Sequence, residues 1–191
     1  MNLLFIRHGK TKGNAEKRYV GRTDEPLSIE GVQALQLAHC PTVEQVFCSP
    51  MLRCVQTAQL LYPTHAPIIV PDFQEIDFGD FEYKSYLELQ ENPLFQQWID
   101  SNGTLPFPNG ESQASYCERI NNAFTTIAVR CMTKKTVIIA HGGTLMAILS
   151  TYGMPKQGYF DYQVSNGEGF QTDIQVTEHK LQLLEIEKWK I

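Results

Sequence analysis

The sequence predicts an α/β protein with three layers, α/β/α, built around a mostly parallel central sheet. Short apolar runs alternate along the chain with longer stretches whose apolar residues recur at helical spacing, and this alternation favours a layered α/β architecture. The short runs are almost continuously apolar, which is typical of strands covered on both faces. The length of 191 residues suits one domain, so we expect a single domain over residues 1–191.

The candidate strands are the apolar runs at residues 3–6, 46–48, 68–70 and 136–140. Each run is apolar enough to be a strand that helices cover on both faces. Near the C-terminus, residues 172–177 and 181–186 flank a short polar turn and predict a hairpin.

Four helices are predicted, and they begin near Ser28, at Ser49 and Pro50, near Ser112, and just after Gly142 and Gly143. A serine oxygen can accept hydrogen bonds from the free N–H groups of a first turn, and proline fits that turn. We therefore expect Ser49 to cap the second helix. From Ser112 to about residue 132 the apolar residues form one stripe, which we interpret as core. Residues 102–110 are rich in Gly, Pro and Asn and predict a surface loop.

Composition excludes several classes of protein. Hydrophobic residues make up 42% and charged residues 19%, which supplies a core and excludes disordered, collagen-like and coiled-coil chains. The 16 Lys and Arg against 21 Asp and Glu give a net charge of −5, so we expect no nucleic-acid partner. No run resembles a signal peptide or reaches the ~18 apolar residues of a membrane span. We expect a cytoplasmic protein with no membrane partner.

The five cysteines are predicted to be free thiols, mostly packed: Cys40, Cys48, Cys54, Cys117 and Cys131. Their number is odd, and no two of them form a CxxC motif. None lies in a phosphate-binding or base-paired setting along the sequence, so we expect no catalytic cysteine.

Two of the predicted strands end in a histidine followed by glycine. Arg7, His8 and Gly9 follow the first strand, and His141 with Gly142 follows the fourth. The carboxyl ends of parallel strands share one edge of a sheet, where ligands bind in open α/β folds. One histidine there is ordinarily just a polar residue at a strand end. Two on one rim, each followed by a glycine that admits close backbone approach, indicate a site.

The side chains near this rim suit phosphoryl transfer. Neutral imidazole, whose unperturbed pKa is about 6.5, offers a lone pair to phosphorus at neutral pH. Arginine binds phosphate oxygens in pairs and keeps its charge, and Arg7, Arg22 and Arg53 are the candidates. Arg53 falls in the first turn of a helix that follows a strand, where it can reach the sheet edge. The leaving oxygen also needs a proton, and Glu75 is the best-placed carboxyl group to supply it.

The chain also carries a series of short motifs in a fixed order. They are Arg7-His8-Gly9-Lys10-Thr11 with Asn14, Gly21-Arg22-Thr23-Asp24, Ser49-Pro50-Met51-Leu52-Arg53, Glu75-Ile76-Asp77-Phe78-Gly79, Asn109-Gly110-Glu111-Ser112 and Ala140-His141-Gly142-Gly143. Together they resemble the histidine phosphatase superfamily in its phosphoglycerate-mutase-like branch. The resemblance covers residues 3 to about 150 and implies the phosphoglycerate-mutase-like form of the α/β/α fold.

What the resemblance implies is a phosphoenzyme mechanism that needs no metal and no other cofactor. His8 would be the nucleophile that becomes phosphohistidine. Arg7, Arg53 and His141 would bind the phosphoryl oxygens. Glu75 would protonate the leaving group and then activate the water that hydrolyses the phosphohistidine.

The same resemblance implies three substrate-binding residues: Asn14, Arg22 and Gly142. Asn14 would add a hydrogen bond in the phosphoryl pocket. Arg22 and the loop before Ser112 are similar to the parts of the family that meet the rest of the substrate. Tyr83 departs from the family pattern. We expect this to alter the shape beside Glu75, which leaves the substrate open.

Several activities of the superfamily stay open. Few residues separate Arg53 from Glu75, which leaves little chain for the cover that mutases place over the site, so hydrolysis to water is the simpler prediction. The short chain is most similar to the α-ribazole-5′-phosphate phosphatases of cobalamin nucleotide-loop assembly. A broad-specificity phosphatase and a phosphoglycerate mutase are the alternatives. The aromatic residues after Glu75 could cover a ring-bearing substrate or simply pack in the core.

Two hypotheses come from other classes of protein. A non-catalytic phosphate-binding module would keep the basic pocket, but it would not need the proton donor Glu75. A metal site made of His8, His141 and Glu75 is plausible in composition, but the charges of Arg7 and Arg53 beside the ion disfavour it. The expected partner is a small-molecule phosphate ester. A homodimer formed by edge or hairpin pairing and a monomer both stay open.

Overall fold

The computed structural model describes residues 2–178 and 180–190 and contains one six-stranded sheet. The strands are β1 Leu3–Arg7, β2 Gln45–Cys48, β3 Ile68–Ile69, β4 Thr136–Ala140, β5 Gly169–Thr177 and β6 Lys180–Trp189. Their order across the sheet is β3-β2-β4-β1-β5-β6. The first four are parallel to one another, whereas β5 and β6 are antiparallel to their neighbours. The mostly parallel α/β class is confirmed, and β5 with β6 is the predicted C-terminal hairpin.

Seven helices flank the sheet in the described part of the chain. They are α1 Lys12–Ala15, α2 Ile29–Gln36, α3 Leu52–Leu61, α4 Tyr86–Leu89, α5 Pro93–Asp100, α6 Gln113–Thr133 and α7 Gly142–Tyr152. Ser28 caps α2 through the N–H of Gly31, and Ser112 caps α6 through the N–H of Ser115, so these two predicted helix starts are confirmed. No helix among the described residues is long and apolar enough to cross a membrane.

The central strands bury both faces, as their sequence predicts. Along β1, Leu3 and Phe5 belong to one hydrophobic cluster, with residues of α6 and α7. Leu4 and Ile6 belong to a second cluster, with residues of α3. Alternate side chains of one strand point to opposite faces, so helices pack on both sides and the three-layer prediction is confirmed.

Two details of the predicted elements are wrong. The strand predicted at residues 68–70 is present as Ile68–Ile69, but it is not covered on both faces: Ile68 and Ile69 are 36% and 41% exposed, because β3 lies at the sheet edge and pairs with β2 alone. Ser49 does not cap α3. That helix begins at Leu52 with Met51 at the N-cap, so Ser49 lies two residues before the cap position, where its hydroxyl contacts His141 Nε2 at 2.8 Å and accepts from the Met51 N–H at 3.4 Å. The first helical N–H, that of Leu52, donates to Asp24 Oδ1 at 2.7 Å.

The predicted loop and the start of the last helix also need refinement. The segment 102–110 contains no helix or strand, as predicted, but it is anchored in the molecule because the Phe107 ring is buried and stacks on Trp98. Helix α7 begins at Gly142 and not after Gly143, and His141 occupies its N-cap position. Both glycines therefore lie in the first turn of that helix.

Candidate active site

His8 and His141 lie side by side at the carboxyl edge of the sheet. β1 and β4 are parallel neighbours in which Arg7 pairs with Ala140, so the residues that follow emerge together. The ring centroids of the two histidines are 5.2 Å apart, and both side chains are buried. The two strand-end histidines that the sequence singles out therefore share one site.

The surroundings of His8 set its tautomer and its charge. Its Nδ1 lies 2.7 Å from the carbonyl oxygen of Gly9, which can only accept, so Nδ1 carries the proton and Nε2 keeps its lone pair. Burial lowers the pKa of His8 well below its usual value, and the charges of Arg53 and Arg7 lower it further against the opposing hydrogen bond to Gly9. The imidazole is neutral at pH 7. The Gly9 N–H donates to Thr57 Oγ1 at 2.9 Å and fixes this turn.

Arg53 is fully buried in the first turn of α3, and its charge acts on both His8 and His141. Its Nη1 and Nη2 donate to the carbonyl oxygens of Thr23 and Gly21, both at 2.8 Å. Glu82 holds that loop in turn, because its Oε1 accepts from the N–H groups of the same two residues at 2.9 Å. The guanidinium is therefore locked in one orientation by backbone.

Arg7 and Arg53, like Arg22, each have a buried Nε donor without a partner among the described residues. Arg7 donates through Nη1 to the carbonyl oxygen of Val164 at 2.8 Å. Burial lowers the pKa of Arg7, the carboxylate of Glu75 opposes this, and Arg53 adds to the lowering. A buried, unpaired cationic donor is costly, and an anion between these groups would satisfy it.

His141 is held from the side of α3. Its Nε2 lies 2.8 Å from Ser49 Oγ, and Cys54 Sγ lies 3.6 Å from the same nitrogen. Burial lowers the pKa of His141 well below its usual value, and Arg53, His8 and Arg7 act in the same direction. Burial also raises the pKa of the Cys54 thiol to about 12, so this thiol stays protonated. All five cysteines are free, as predicted.

Glu75 faces the same region from the segment after β3. Its Oε1 accepts from the Tyr116 hydroxyl at 2.7 Å and from the backbone N–H of Ile76 at 2.9 Å. The Tyr116 hydroxyl also lies 3.1 Å from Thr144 Oγ1. Gly143 packs closely on this group, since a Cβ there would lie 2.7 Å from Glu75 Oε1. These hydrogen bonds of Glu75 fall on Oε1 and leave Oε2 for a proton.

The remaining predicted residues are divided between the rim and a separate surface. Gly142 lines a cavity together with Arg7 and Glu75. Asn14 lines a polar depression on another side of Arg7, and its Oδ1 accepts from Asn166 Nδ2 at 3.0 Å. Arg22 lines a third depression, together with Asp77 and Glu111. It does not line the cavity beside Glu75 or the depression that contains Asn14. The residues on either side of Arg22, Gly21 and Thr23, accept the hydrogen bonds of Arg53.

Sequence reasoning misses three polar groups that hold this site. The local pattern makes Ser49 a helix cap and Tyr116 part of an apolar stripe, and it gives no role to Thr57. A signal exists for Tyr116, because a tyrosine in a buried stripe must find a partner for its hydroxyl. In the described part of the chain, no group of three or more His, Cys, Asp or Glu side chains could hold a metal ion, so the metal-site hypothesis gains no support.

Comparison with known proteins gives a consistent result. The family model described as histidine phosphatase superfamily (branch 1) matches residues 3–187. The adenosylcobalamin/α-ribazole phosphatase of Escherichia coli (strain K12) is 27% identical over 177 residues, which are 87% of each chain. The crystal structure of the α-ribazole phosphatase from Shigella flexneri has a TM-score of 0.79 at 26% identity and covers 96% of this chain and 94% of that one.

A differently named protein has the same fold. The crystal structure of a phosphoglycerate mutase from Thermus thermophilus has a TM-score of 0.72 at 25% identity and covers 100% of this chain and 99% of that one. Similar folds thus occur under both a phosphatase and a mutase name, so the activity has to be argued from the site.

Proposed function

Because the chain belongs to the histidine phosphatase superfamily (branch 1), we propose that it is a metal-independent phosphomonoester hydrolase that forms a phosphohistidine on His8. One observation supports this proposal above the others. A neutral histidine with a free Nε2 lies beside two arginines whose buried Nε donors have no protein partner among the described residues. A nucleophile beside an anion pocket is what the proposed reaction requires.

The first step transfers the phosphoryl group to the enzyme. Arg7, Arg53 and His141 bind the phosphoryl oxygens, and the lone pair of His8 Nε2 attacks phosphorus. The bond between phosphorus and the ester oxygen breaks, and Glu75 Oε2 gives its proton to that oxygen, so the product leaves as a neutral alcohol. Tyr116 and the Ile76 N–H keep Glu75 in position by binding its other oxygen.

The second step returns the enzyme to its starting state. The Glu75 carboxylate takes a proton from a water molecule, whose oxygen attacks phosphorus as the bond between phosphorus and His8 Nε2 breaks. Inorganic phosphate and a protonated Glu75 result. The same carboxyl group thus serves as the acid in the first step and as the base in the second.

We propose α-ribazole 5′-phosphate as the physiological substrate, in cobalamin nucleotide-loop assembly. The relatives from E. coli and Shigella flexneri carry that substrate in their names and match nearly the whole chain. A broad-specificity phosphatase is the alternative, and a phosphoglycerate mutase is a further one, which the Thermus thermophilus structure keeps open. Asn14 and Gly142 would contact the substrate at the rim. Arg22 could contact only a substrate part that extends toward its own depression.

The remaining proposals concern the setting of the enzyme. We propose one catalytic domain over residues 1–191 that acts in the cytoplasm, and five free cysteines are consistent with a reducing compartment. The substrate is a small phosphate ester, and neither nucleic acid nor membrane is proposed as a partner. Self-association through a sheet edge or the hairpin remains a proposal, for which the oligomeric state in solution is the direct measurement.

The test is kcat/KM for a panel of phosphomonoesters, including α-ribazole 5′-phosphate and 3-phosphoglycerate, in excess EDTA. His8→Ala should abolish turnover on all of them, whereas His39→Ala, which changes an exposed histidine, should not. One ester that exceeds the others by several orders of magnitude identifies the substrate.

Three other results would change the conclusion. Residual turnover in a clean His8→Ala preparation would overturn the phosphohistidine mechanism. Activity that is lost in EDTA and restored by one metal ion would favour the metal site. Phosphate binding without any turnover would favour the non-catalytic module.

A further inference from the structure

A cavity of about 450 Å³ opens beside Arg7 and Glu75. This volume falls in the range of small-molecule sites, about 300–1,000 Å³. Six of its lining residues are aromatic: Tyr19, Phe78, Trp98, Phe107, Tyr159 and Phe160. Ring packing therefore leaves an open space next to Arg7 and Glu75, where part of a substrate would fit.

The aromatic wall is built from rings that fix one another. Trp98 stacks on Phe107 with ring centroids 4.9 Å apart and on Phe95 at 6.0 Å. Tyr19 meets Phe78 edge to face at 5.3 Å, and Phe78 meets Phe107 at 4.9 Å. Such pairs stabilise each other beyond simple burial, so the wall is formed before a ligand arrives. Little conformational entropy is lost when a flat group binds against it.

Charge is confined to one end of this cavity. Among the described lining residues, Arg7 and Glu75 are the only charged ones, and both are used in the proposed reaction. The cations nearby line other depressions: Lys17, Arg18 and Lys188 in the polar one that contains Asn14, and Arg22 in its own. Arg18 is also paired with Glu16 at 2.6 Å and Glu88 at 2.9 Å. A second anionic group would find no uncommitted cation inside the cavity.

Neutral hydrogen-bonding groups complete the lining. Gln113 and Gln163 contribute side-chain amides. The Trp98 Nε1 is buried and has no acceptor among the described residues. Amides and an indole N–H can bind hydroxyl or ring-nitrogen atoms, but they cannot compensate the desolvation of a carboxylate or a second phosphate.

From this lining we infer that the cavity holds the alcohol portion of the substrate and selects an uncharged, ring-bearing alcohol over a small polar or anionic one. The inference rests on the proposed function, because it assumes that the phosphoryl group lies at Arg7 and His8. The cavity would then be the specificity site of this chain. It would disfavour phosphoglycerates, because their carboxylate would be buried there without a partner.

The first experiment compares esters whose bond cleavage is equally difficult. We would measure kcat/KM for 2-(2-naphthyl)ethyl phosphate, glycerol 3-phosphate and 3-phosphoglycerate. All three release an alkyl alcohol, so differences among them report on the cavity and not on the basicity of the leaving oxygen. Burial of the ring system should raise kcat/KM for the naphthyl ester about 100-fold over glycerol 3-phosphate.

Two substitutions test the wall itself. Phe160 lines the cavity yet is 59% exposed, so Phe160→Ala should fold normally. It should lower kcat/KM for the naphthyl ester about tenfold more than it lowers kcat/KM for glycerol 3-phosphate, because the larger ring system has more contact with the wall. Leu37→Ala is the control, since Leu37 is 77% exposed and lies outside the lining. Gln163→Arg places a cation in the cavity and should raise kcat/KM for 3-phosphoglycerate about tenfold.

The outcomes separate this inference from the proposed function. Similar kcat/KM values for the three esters, with turnover that still depends on His8, would overturn the inference alone. If no ester is turned over in a reaction that needs His8, the proposed function is overturned. In that case the dissociation constants of the matched non-hydrolysable phosphonates, measured by calorimetry, decide the inference. Tighter binding of the naphthyl phosphonate would support it, and equal or weaker binding would overturn it.

Discussion

At the scale of single residues, the proposed acid depends on one hydroxyl group. Tyr116 is fully buried and donates to Glu75 Oε1, and Thr144 lies against the same hydroxyl. Burial raises the pKa of Tyr116 well above its usual value, and the nearby Glu75 carboxylate raises it too, so the phenol remains a donor at every relevant pH. Tyr116 is thus a positioning residue that selects which carboxylate oxygen carries the proton.

Tyr116→Phe should lower kcat about tenfold and affect KM little, because it removes a charge-assisted hydrogen bond worth about 1.5–3 kcal/mol without touching the phosphoryl pocket. Esters of basic alcohols should lose more than esters of acidic phenols, since protonation matters most for a basic leaving oxygen. The measurement is kcat for one ester of each kind. The control is Tyr152→Phe, which changes a partly buried tyrosine at the end of α7. Equal losses on both esters would remove Tyr116 from this role.

The two neutral histidines make stability depend on pH. Both have a folded-state pKa well below that of the unfolded chain. Below about pH 6.5 the unfolded chain therefore binds more protons than the folded one, and stability falls as pH falls. The limiting slope is about 1.4 kcal/mol per pH unit for each such histidine.

We expect His8→Gln to reduce this slope. Urea unfolding at pH 7.5, 6.5 and 5.5 measures it, in a range above the ordinary titration of carboxylates. His39→Gln, at an exposed position, should leave the slope unchanged. A slope that is the same in the wild type and in His8→Gln would show that His8 is not held neutral.

At the scale of elements, α6 positions the acid through two consecutive contacts. Tyr116 binds the Glu75 carboxylate, and Arg119, three residues later on the same face, binds the backbone just before it. Arg119 Nη1 donates to the carbonyl oxygens of Asp72 and Gln74, while its Nε and Nη2 bind Glu111 at 3.0 and 2.8 Å. The guanidinium therefore joins the segment that carries Glu75 to the loop before α6.

Arg119→Met should loosen this junction. We expect a loss of about 2 kcal/mol in the free energy of unfolding, because charged hydrogen bonds to Glu111 and to two carbonyls disappear. The value of kcat should fall more than the affinity for phosphate, since the arginines of the pocket stay in place. The control is Arg130→Met, an exposed arginine on the same helix that packs over Phe47. Unchanged kcat would show that Glu75 is positioned without Arg119.

The elements also show how far sequence reasoning extends. Continuous apolar runs predict β1 and β4, and serine caps predict α2 and α6, because these signals are local. The edge position of β3 is missed, since the apolar pair Ile68 and Ile69 does not reveal which strands are its neighbours. The short helices α4 and α5 are missed as well, although Ser85 with Glu88 forms a capping box at the start of α4.

The residues of the site also differ in how well the sequence predicts them. The histidines and Arg53 can be placed because each follows directly from a strand end or a helix start. The contact of Ser49 with His141 joins residues 92 positions apart, so no local pattern contains it. Arg22 has the same motif support as Arg53, but its side chain lies with Asp77 and Glu111 in a different depression. Residue type and motif predict the chemistry, whereas the direction of a side chain needs the fold.

At the scale of the whole molecule, an anion should stabilise the folded chain. Arg7 and Arg53 lie near enough for their charges to act on each other and on His8 only when β1 and α3 are in place, so we expect phosphate to bind the folded state preferentially. At about 100 times its dissociation constant, phosphate should add about 2.7 kcal/mol and raise Tm by about 5–10 °C. Thermal unfolding in phosphate and in chloride at equal ionic strength measures this. An equal shift in both salts would indicate a general salt effect and no specific site.

The two arginines have a further consequence, for the evolution of the chain. Their buried charges repel each other and leave donors unpaired, so the site is a place where folding stability is given up for turnover. A lineage released from selection for phosphatase activity could regain that stability by replacing Arg7 with an uncharged side chain. The presence of both arginines beside an intact Glu75 is the composition expected of a chain still under selection as an enzyme.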